Sequence, residues 1–372
     1  MKTVLHTIDT TGPGGAETVC VELAAGLDPA RYRSEIAVLG PGWLYDALRS
    51  RHLDPTIVRT ARVPVDVPFL FRLITLARRH SAGLIQTHLL GTGLYGTLAA
   101  RLLRLPAVAT FHGLVDVAPN DRRAGLKLRA IAANASRVVV PSDALGRHLE
   151  ARFPVVAGRL VVVPNGIDPD AFRPAPRRDL RAELGAPDET ILVGSVGNVR
   201  PAKAYDVLLR VAARLVDRRP QIRFAIAGDP GQPLFDELRA LHSRLGLRDR
   251  VVFVGFREDV ATFLNGVDIY LSTSTSEGFS LTCLQAMACG VPVVATRSGG
   301  PEEILTDGED GILVPVNDEE AIAAAVENLA MDAGSRRRLG LAGREKVRAR
   351  FTVRRMVAAY EAIYAELTTE GR

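Results

Sequence analysis

Glu277 and Gln285 stand eight residues apart in the stretch 276–301, SEGFSLTCLQAMACGVPVVATRSGGP, with a short apolar run between and beyond them. Helix signals open at Ser280 and close at Cys289 and Gly290, and Val291 to Ala295 reads as a buried strand. Glu277 is therefore expected at the mouth of a helix N-terminus. There the unpaired backbone N–H groups and the positive end of the dipole favour a phosphate. If the path were all helix, Gln285 would lie about 12 Å from Glu277 at about 1.5 Å per residue. That span suits a ligand with a polar group at each end and a diphosphate between, which is the shape of a nucleotide-sugar.

Other residues invite the same chemistry. Arg200 and Lys203 lie in a loop between a strand and the amphipathic helix expected over residues 204–219. Two cations just ahead of a helix N-terminus oppose its dipole, so the placement calls for an anion. Gly12-Pro13-Gly14-Gly15 follows the first strand and opens a helix, but the dinucleotide fingerprint needs glycine at position 17, where the chain has Glu17. Hydride transfer on a dinucleotide is thereby disfavoured, while Gly14 and Gly15 still let backbone approach a ligand closely. His112 ends a buried strand, and His88 ends the strand before it. Asp168-Pro169-Asp170 spells a divalent-metal motif but falls in a proline-rich stretch, where a turn is the simpler reading.

These residues need a scaffold, and the rest of the chain supplies an alternating one. Strands are expected at residues 3–8, 35–39, 83–87, 107–111, 137–140 and 160–163, and again at 191–196, 223–227, 251–254, 268–271 and 291–295, with helical segments between most of them. Such alternation gives parallel sheets covered on both faces by helices. The 372 residues suit two domains, with the boundary in DPDAFRPAPRRD, residues 168–179, and a helical pattern from about residue 318 to the end. The expected division is 1–172, 173–350 and a last helix over 351–372. Cys20, Cys283 and Cys289 have no metal-ligand spacing and cannot all pair, which points to a reducing cytoplasm. MKTVLHTID reads as a first strand rather than an export signal, and no apolar run is long enough for a membrane span.

Charge divides unevenly, with a net of +7 over residues 1–175 and −2 over the remainder. A basic surplus attracts nucleic acid, anionic lipid or a phosphorylated substrate. Aromatic residues are only 5% and no nucleic-acid-binding pattern appears, so nucleic acid is the weakest of the three. The basic segment 121–137 is expected to pack on the sheet through a stripe of Leu126, Ala130 and Ala133, with contact to anionic lipid as the alternative.

The stretch 276–301 resembles the signature of the retaining glycosyltransferases of family four, a glutamate, seven intervening residues and then a second glutamate, in a string like EGFGLxxxEAMAxGxPVVAT. Here the second position is Gln285. GGAE near the start, TFHG, PNGID, GNVRPAK and GGPEE follow in the same order, so the resemblance covers nearly the whole chain. It implies the α/β GT-B fold, two facing doubly wound Rossmann-like domains with a central cleft, the last helix crossing back to the first domain. It also implies a nucleoside-diphosphate sugar as donor and no metal or other cofactor; the first domain faces the acceptor in similar enzymes, so its basic surplus leads us to expect an anionic or lipid-linked glycan as acceptor, with peripheral membrane contact at the inner face. By the same resemblance Glu277 would hold sugar hydroxyls and Gln285 the ribose. The amides of Gly278 to Leu281, with Arg200 and Lys203, would hold the leaving diphosphate. His112 would touch the donor sugar, the Gly14-Gly15 loop the donor phosphate, and Glu17 and His88 the acceptor. Gln285 keeps open a relative that binds the donor without transfer, and fold analogy alone leaves room for an isomerase or phosphorylase.

Overall fold

A computed structural model describes residues 1–60, 66–113, 122–176 and 178–369. The chain divides into two compact units, Met1–Gly166 with Val353–Arg372, and Ile167–Thr352.

The first unit is built on a parallel sheet of β1 (Lys2–Ile8), β2 (Tyr32–Val38), β3 (Thr56–Ile57), β4 (Ala82–His88), β5 (Ala107–Thr110), β6 (Arg137–Val140) and β7 (Leu160–Val162). Their order is β3-β2-β1-β4-β5-β6-β7. The second unit repeats the plan with β8 (Ile191–Val196), β9 (Ile222–Ala227), β10 (Val251–Gly255), β11 (Ile269–Ser272), β12 (Val293–Thr296) and β13 (Ile312–Val314), in the order β10-β9-β8-β11-β12-β13. In each sheet the chain builds outward from its first strand, then returns to build the other way. The connections leaving β1 and β4, and those leaving β8 and β11, therefore diverge and open a crevice at the strands' carboxyl ends. β3 and β13 were not anticipated, since two and three residues are too short to show a period.

Alternation along the strands sorts the cores. Leu5, Ala37, Ile85 and Ala107 point to one face, where Phe69, Leu73 and Ala77 of the helix Val67–Arg79 and Ala99 and Ala100 of the helix Leu90–Leu103 cover them. Ile8, Ile36 and Val38 point to the other, against Cys20, Val21 and Ala24 of the helix Gly15–Gly26. The last helix, Val353–Thr369, belongs to this unit: Tyr364 donates to Gln86 Oε1 at 2.9 Å, and Asp28 N–H donates to Glu361 Oε1 at 2.7 Å. In the second unit the expected apolar face of Val207, Leu208, Val211 and Leu215 is buried, on the helix Tyr205–Val216.

One expected stripe is overturned. The helix Arg122–Asn134 buries Ala124, Leu128, Ile131 and Ala132, while Leu126 is 64% exposed and Ala133 is also exposed. The register that wins places the larger Leu128 and Ile131 on the sheet at i, i+3 and i+4 spacing, and so turns Leu126 outward. The decoy at 168–170 is a local turn, in which Asp170 N–H donates to Asp168 Oδ1 at 2.9 Å.

The helix Leu281–Ala288 ends where expected. Gly290 has φ +74°, its N–H donates to Met287 O at 2.9 Å and Val291 N–H donates to Ala286 O at 2.9 Å, a Schellman stop that only glycine adopts without strain. The helix Ala333–Arg350 crosses at this turn so closely that a Cβ on Gly340 would collide with the Gly290 carbonyl oxygen. Because the obstacle is backbone, Gly340→Ala is expected to destabilise the second unit by about 3 kcal/mol, the upper part of the range for overpacking. Urea unfolding checks this, and an unchanged midpoint would show that the helix shifts freely.

Candidate active site

The loops after the adjacent strands β8 and β11 meet at the second unit's switch point. Beyond β8 the chain turns at Gly197 and runs through Arg200 into a 3-10 turn at Pro201–Lys203. Gly197 is needed for proximity, because a Cβ there would lie 3.0 Å from Lys203 Cε. Ala204 has φ +47°, a left-handed conformation that costs a residue with a side chain about 1 kcal/mol. Thr273, just past β11, offsets that cost by directing its hydroxyl to the carbonyl oxygens of Lys203 and Ala204, each at 3.1 Å. The outcome is a lysine aimed across the crevice from a fixed backbone.

Its target is Glu277. Lys203 Nζ donates to Glu277 Oε1 at 2.6 Å, and Ser274 Oγ donates to the same oxygen at 2.7 Å. The side chains retain 22% and 13% exposure. Burial by itself lowers the Lys203 pKa, but attraction to Glu277 and the hydrogen bond between them outweigh it and hold the pKa above its usual value. Glu277 is fixed from behind by the loop after β12: Glu277 N–H donates to Ser298 O and Gly300 N–H donates to Glu277 O, each at 2.9 Å. A Cβ on Gly300 would sit 2.7 Å from Phe279 Cα, so GGP and EGF pack as two backbones in contact.

The helix Leu281–Ala288 begins just beyond. Ser280 is its N-cap and accepts from Cys283 N–H at 3.4 Å, leaving other first-turn amides without acceptors inside the helix. The Phe279 side chain is core, edge-on to Phe351 at 5.8 Å, and the Ser280 side chain is buried, so these two face the crevice only through backbone. Gln285 is half-buried, one helical turn beyond Leu281. Arg200 is exposed. The structure thus joins Lys203 to Glu277, sets Gly278 to Leu281 beside them, and leaves Arg200 in solvent.

The first unit holds Gly14, Gly15, Glu17, His88 and His112. Gly14 caps the helix Gly15–Gly26, and a Cβ on it would collide with Glu17 Oε2, because the nearly buried Glu17 carboxylate folds back over it. His88 Nδ1 and His112 Nε2 are 3.0 Å apart, with the rings stacked at 5.3 Å between centroids. His6, on β1, extends the stack to a third ring, 6.5 Å from His88. Neither ring nitrogen of His6 has a hydrogen-bond partner among the described residues. Burial lowers the His6 pKa to about 3 and the His112 pKa to about 4. Burial, then His112 and His6, hold His88 well below its usual value. One proton serves the His88–His112 contact, and a second would set two N–H groups against each other.

Sequence reasoning missed His6 and Asp9. Asp9 leaves β1, and its Oδ2 accepts from Gly91 N–H at 2.5 Å at the start of the helix Leu90–Leu103. Burial raises its pKa, the backbone donors Gly91 and Thr92 oppose that rise, and the Glu17 charge adds to it. The adjoining Leu89 has φ +68° and ψ −177°, a conformation almost confined to glycine that costs about 1–3 kcal/mol. Both residues lie in HTIDTTGPGGAE, where the polar positions of β1 were the available signal.

The histidines generate a pH prediction. A histidine whose folded pKa lies below its unfolded value binds a proton on unfolding, so its contribution to stability is present above about 6.5 and is lost as pH falls toward 3–4. His6→Gln should therefore reduce proton uptake on unfolding between these limits by about one proton, read from the slope of stability against pH. An unchanged slope would mean that His6 is protonated in the folded chain.

Known proteins match along this framework. Residues 176–346 match the family described as Glycosyl transferases group 1, and residues 13–171 that described as Glycosyltransferase Family 4. A D-inositol 3-phosphate glycosyltransferase of Saccharomonospora viridis is 33% identical over 301 residues, covering 76% of this chain and 70% of the relative. One from Mycobacterium avium is 32% identical, covering 78% and 72%. Among solved structures, Anabaena HepE in complex with UDP and glucose superposes with a TM-score of 0.88 at 23% identity, over 98% of this chain and 100% of that one. Sucrose-phosphate synthase from Thermosynechococcus elongatus gives 0.82 at 24% identity, over 99% and 100%. With two Rossmann-like parallel sheets and these relatives, the chain belongs to glycosyltransferase family 4 and has the GT-B fold.

Proposed function

We propose that the protein is a retaining, metal-independent glycosyltransferase that moves a sugar from a nucleoside-diphosphate sugar to an anionic acceptor. The observation that carries this reading is the Lys203–Glu277 pair at the second unit's switch point, beside the N-terminus of the helix Leu281–Ala288. Lys203 has three N–H donors and spends one on Glu277, which leaves two for a diphosphate oxygen. Amides of the first helical turn supply further donors. Both donors to Glu277 are bound at Oε1, so Oε2 is the acceptor for a sugar hydroxyl. Leaving-group stabilisation by these prearranged charges is the main catalytic term, and it gives the positive charge that a metal would otherwise bring. The acceptor attacks on the face the diphosphate leaves, so configuration is retained without a covalent intermediate.

In the first unit His112 contacts the donor sugar, the Gly14-Gly15 loop lies by the phosphate, and Glu17 and His88 serve the acceptor. An anionic acceptor is supported by that unit's basic surplus and by the relatives' names, which specify a phosphorylated inositol. A lipid-linked glycan of the cell envelope is the other acceptor class that the surplus suits. UDP is the first donor base to test, since HepE was solved with it. The three unpaired, buried cysteines suit a reducing cytoplasm, and among the described residues no helix is long and apolar enough to cross a membrane.

The reaction is tested by incubating the protein with a panel of UDP-, GDP- and ADP-sugars and phosphorylated polyols in the presence of a chelator. An α-linked product from an α-linked donor is expected, and inversion, or activity only with added Mn²⁺ or Mg²⁺, would contradict the mechanism. Lys203→Ala should weaken binding of the nucleoside diphosphate by about 1.5–3 kcal/mol and barely change binding of the nucleoside. Equal losses for both ligands would assign Lys203 a structural role. A non-catalytic donor-binding relative is favoured by Gln285, which offers ribose one neutral acceptor where a glutamate offers two charged ones. Gln285→Glu should tighten donor binding about fivefold without changing the product. Transfer that appears only in this variant would establish the non-catalytic reading.

A further inference from the structure

The helix Leu90–Leu103 starts in a way that its own sequence does not provide for. Its N-cap is Leu89, whose side chain has no acceptor for the amides of the first turn. The acceptor comes from the neighbouring strand instead. Asp9 follows Ile8, the residue of β1 paired with His88, and takes the N–H groups of Gly91 and Thr92, the second and third positions of the helix. These are the positions that a capping side chain at 89 would itself serve. Gly91 makes room for the carboxylate, since a Cβ there would collide with Asp9 Oδ2. Two unfavourable features thus meet at one turn. Leu89 stands at φ +68° without a glycine's freedom, and burial and the Glu17 charge hold the Asp9 pKa above its usual value. A carboxyl whose folded pKa lies above its unfolded value costs stability once pH has risen through both, so stability at neutral pH explains neither feature. A cap needed only for the helix would call for aspartate or serine at 89, with no strain and no second strand.

What the turn holds is His88. Its carbonyl oxygen accepts from Thr92 Oγ1 at 2.8 Å, and the next amide, of Leu89, donates to Thr110 O at 3.1 Å, two residues before His112. The His88 ring then meets His112, Nδ1 to Nε2, at 3.0 Å. Each neutral ring carries one N–H, so the direction of this bond decides whether His112 Nδ1 donates or accepts. A hydrogen bond is lost beyond about 3.5 Å, so a shift of about half an ångström at His88 releases His112. We infer that Asp9 is a positioning residue for transfer: it caps the helix Leu90–Leu103 from β1, holds the turn at Leu89, and so keeps the His88 ring against His112. This rests on His112 as the donor-sugar contact proposed above. Asp9 acts through His88 rather than on the substrate.

The test follows the ring nitrogens of the full chain by NMR after labelling its histidines with nitrogen-15, with the His88 and His112 signals assigned from His88→Gln and His112→Gln. Asp9→Ala should move both sets of signals and lower kcat/KM for transfer about tenfold, as misplacement of a contact group does. Affinity for the nucleoside diphosphate, which the second unit holds, should not change. Asp9→Asn keeps a neutral acceptor of similar capping strength, so it should restore the signals and the rate and melt no lower than the parent. Gly91→Ala drives a methyl group into Asp9 Oδ2 while favouring the helix, and should move the same signals. In the Asp9→Ala background it should move them no further, and it replaces Asp9→Ala if that variant does not fold. Should the parent transfer no sugar, moved signals would leave the positioning of His88 by Asp9 standing and count against the transferase reading alone. Unmoved signals in Asp9→Ala and Gly91→Ala overturn the proposal whether or not transfer occurs. A rate that Asp9→Asn leaves at the level of Asp9→Ala overturns it too, because the charge and not the cap would then be the functional feature.

Discussion

Lys203 and Glu277 reach each other from the loops after two adjacent strands, and the arrangement around them depends on that contact. A lysine with 22% exposure and a carboxylate with 13% carry a desolvation cost that their mutual attraction and the Ser274 hydroxyl offset. Holding them together fixes the course of the chain from Gly197 to Ala204 and from Thr273 to Gly278. Thr273 then ties the two loops, and the backbone of Gly299 and Gly300 closes against Glu277 and Phe279. The helix Leu281–Ala288 can start only where this turn releases the chain, at Ser280, so the pair and the helix N-terminus are set at one place.

The same topological cause acts in both units. Wherever the strand order reverses, the connecting loops diverge, and groups that leave neighbouring strands face each other without intervening helix. In the first unit this brings together His6 and His88, then His112 at the end of the next strand, and ties Asp9 to Gly91. Each crevice also holds a residue with a side chain at positive φ, Leu89 beside His88 and Ala204 beside Lys203. Conformational strain maintained at the carboxyl ends of the strands is consistent with selection for position over stability there.

Much of this was legible from residue order. Long β-branched runs such as Val138 to Val140 and Val293 to Ala295 can only be buried strands once helical patterns separate them, and the helix stop at Gly290 followed from glycine alone. Glu277 was found because a turn, a cap and an apolar helix follow it in sequence. Lys203 was found separately, as a cation ahead of a helix, but its pairing with Glu277 was not, since 74 residues separate them and nothing local records that β8 and β11 are neighbours. Leu126 was assigned to the wrong face because an alanine-rich helix offers two weak stripes, and the larger Leu128 and Ile131 decide between them only against the sheet. His6 looked like one polar residue in a strand, and only three adjacent strands turn it into a stack.

The central claim is that the Lys203–Glu277 contact organises the loops of the second unit, and a double-mutant cycle measures it most directly. Lys203→Met, Glu277→Gln and the combined variant would be unfolded in urea, following hydrogen exchange of amides in β8 and β11. Each single change leaves a partly buried charge without its partner, whereas the double change removes both. The account predicts that the double variant is more stable than the sum of the single losses implies, with a coupling of about 2 kcal/mol. Losses that simply add would contradict it, and would mean that the loops hold their course without the pair.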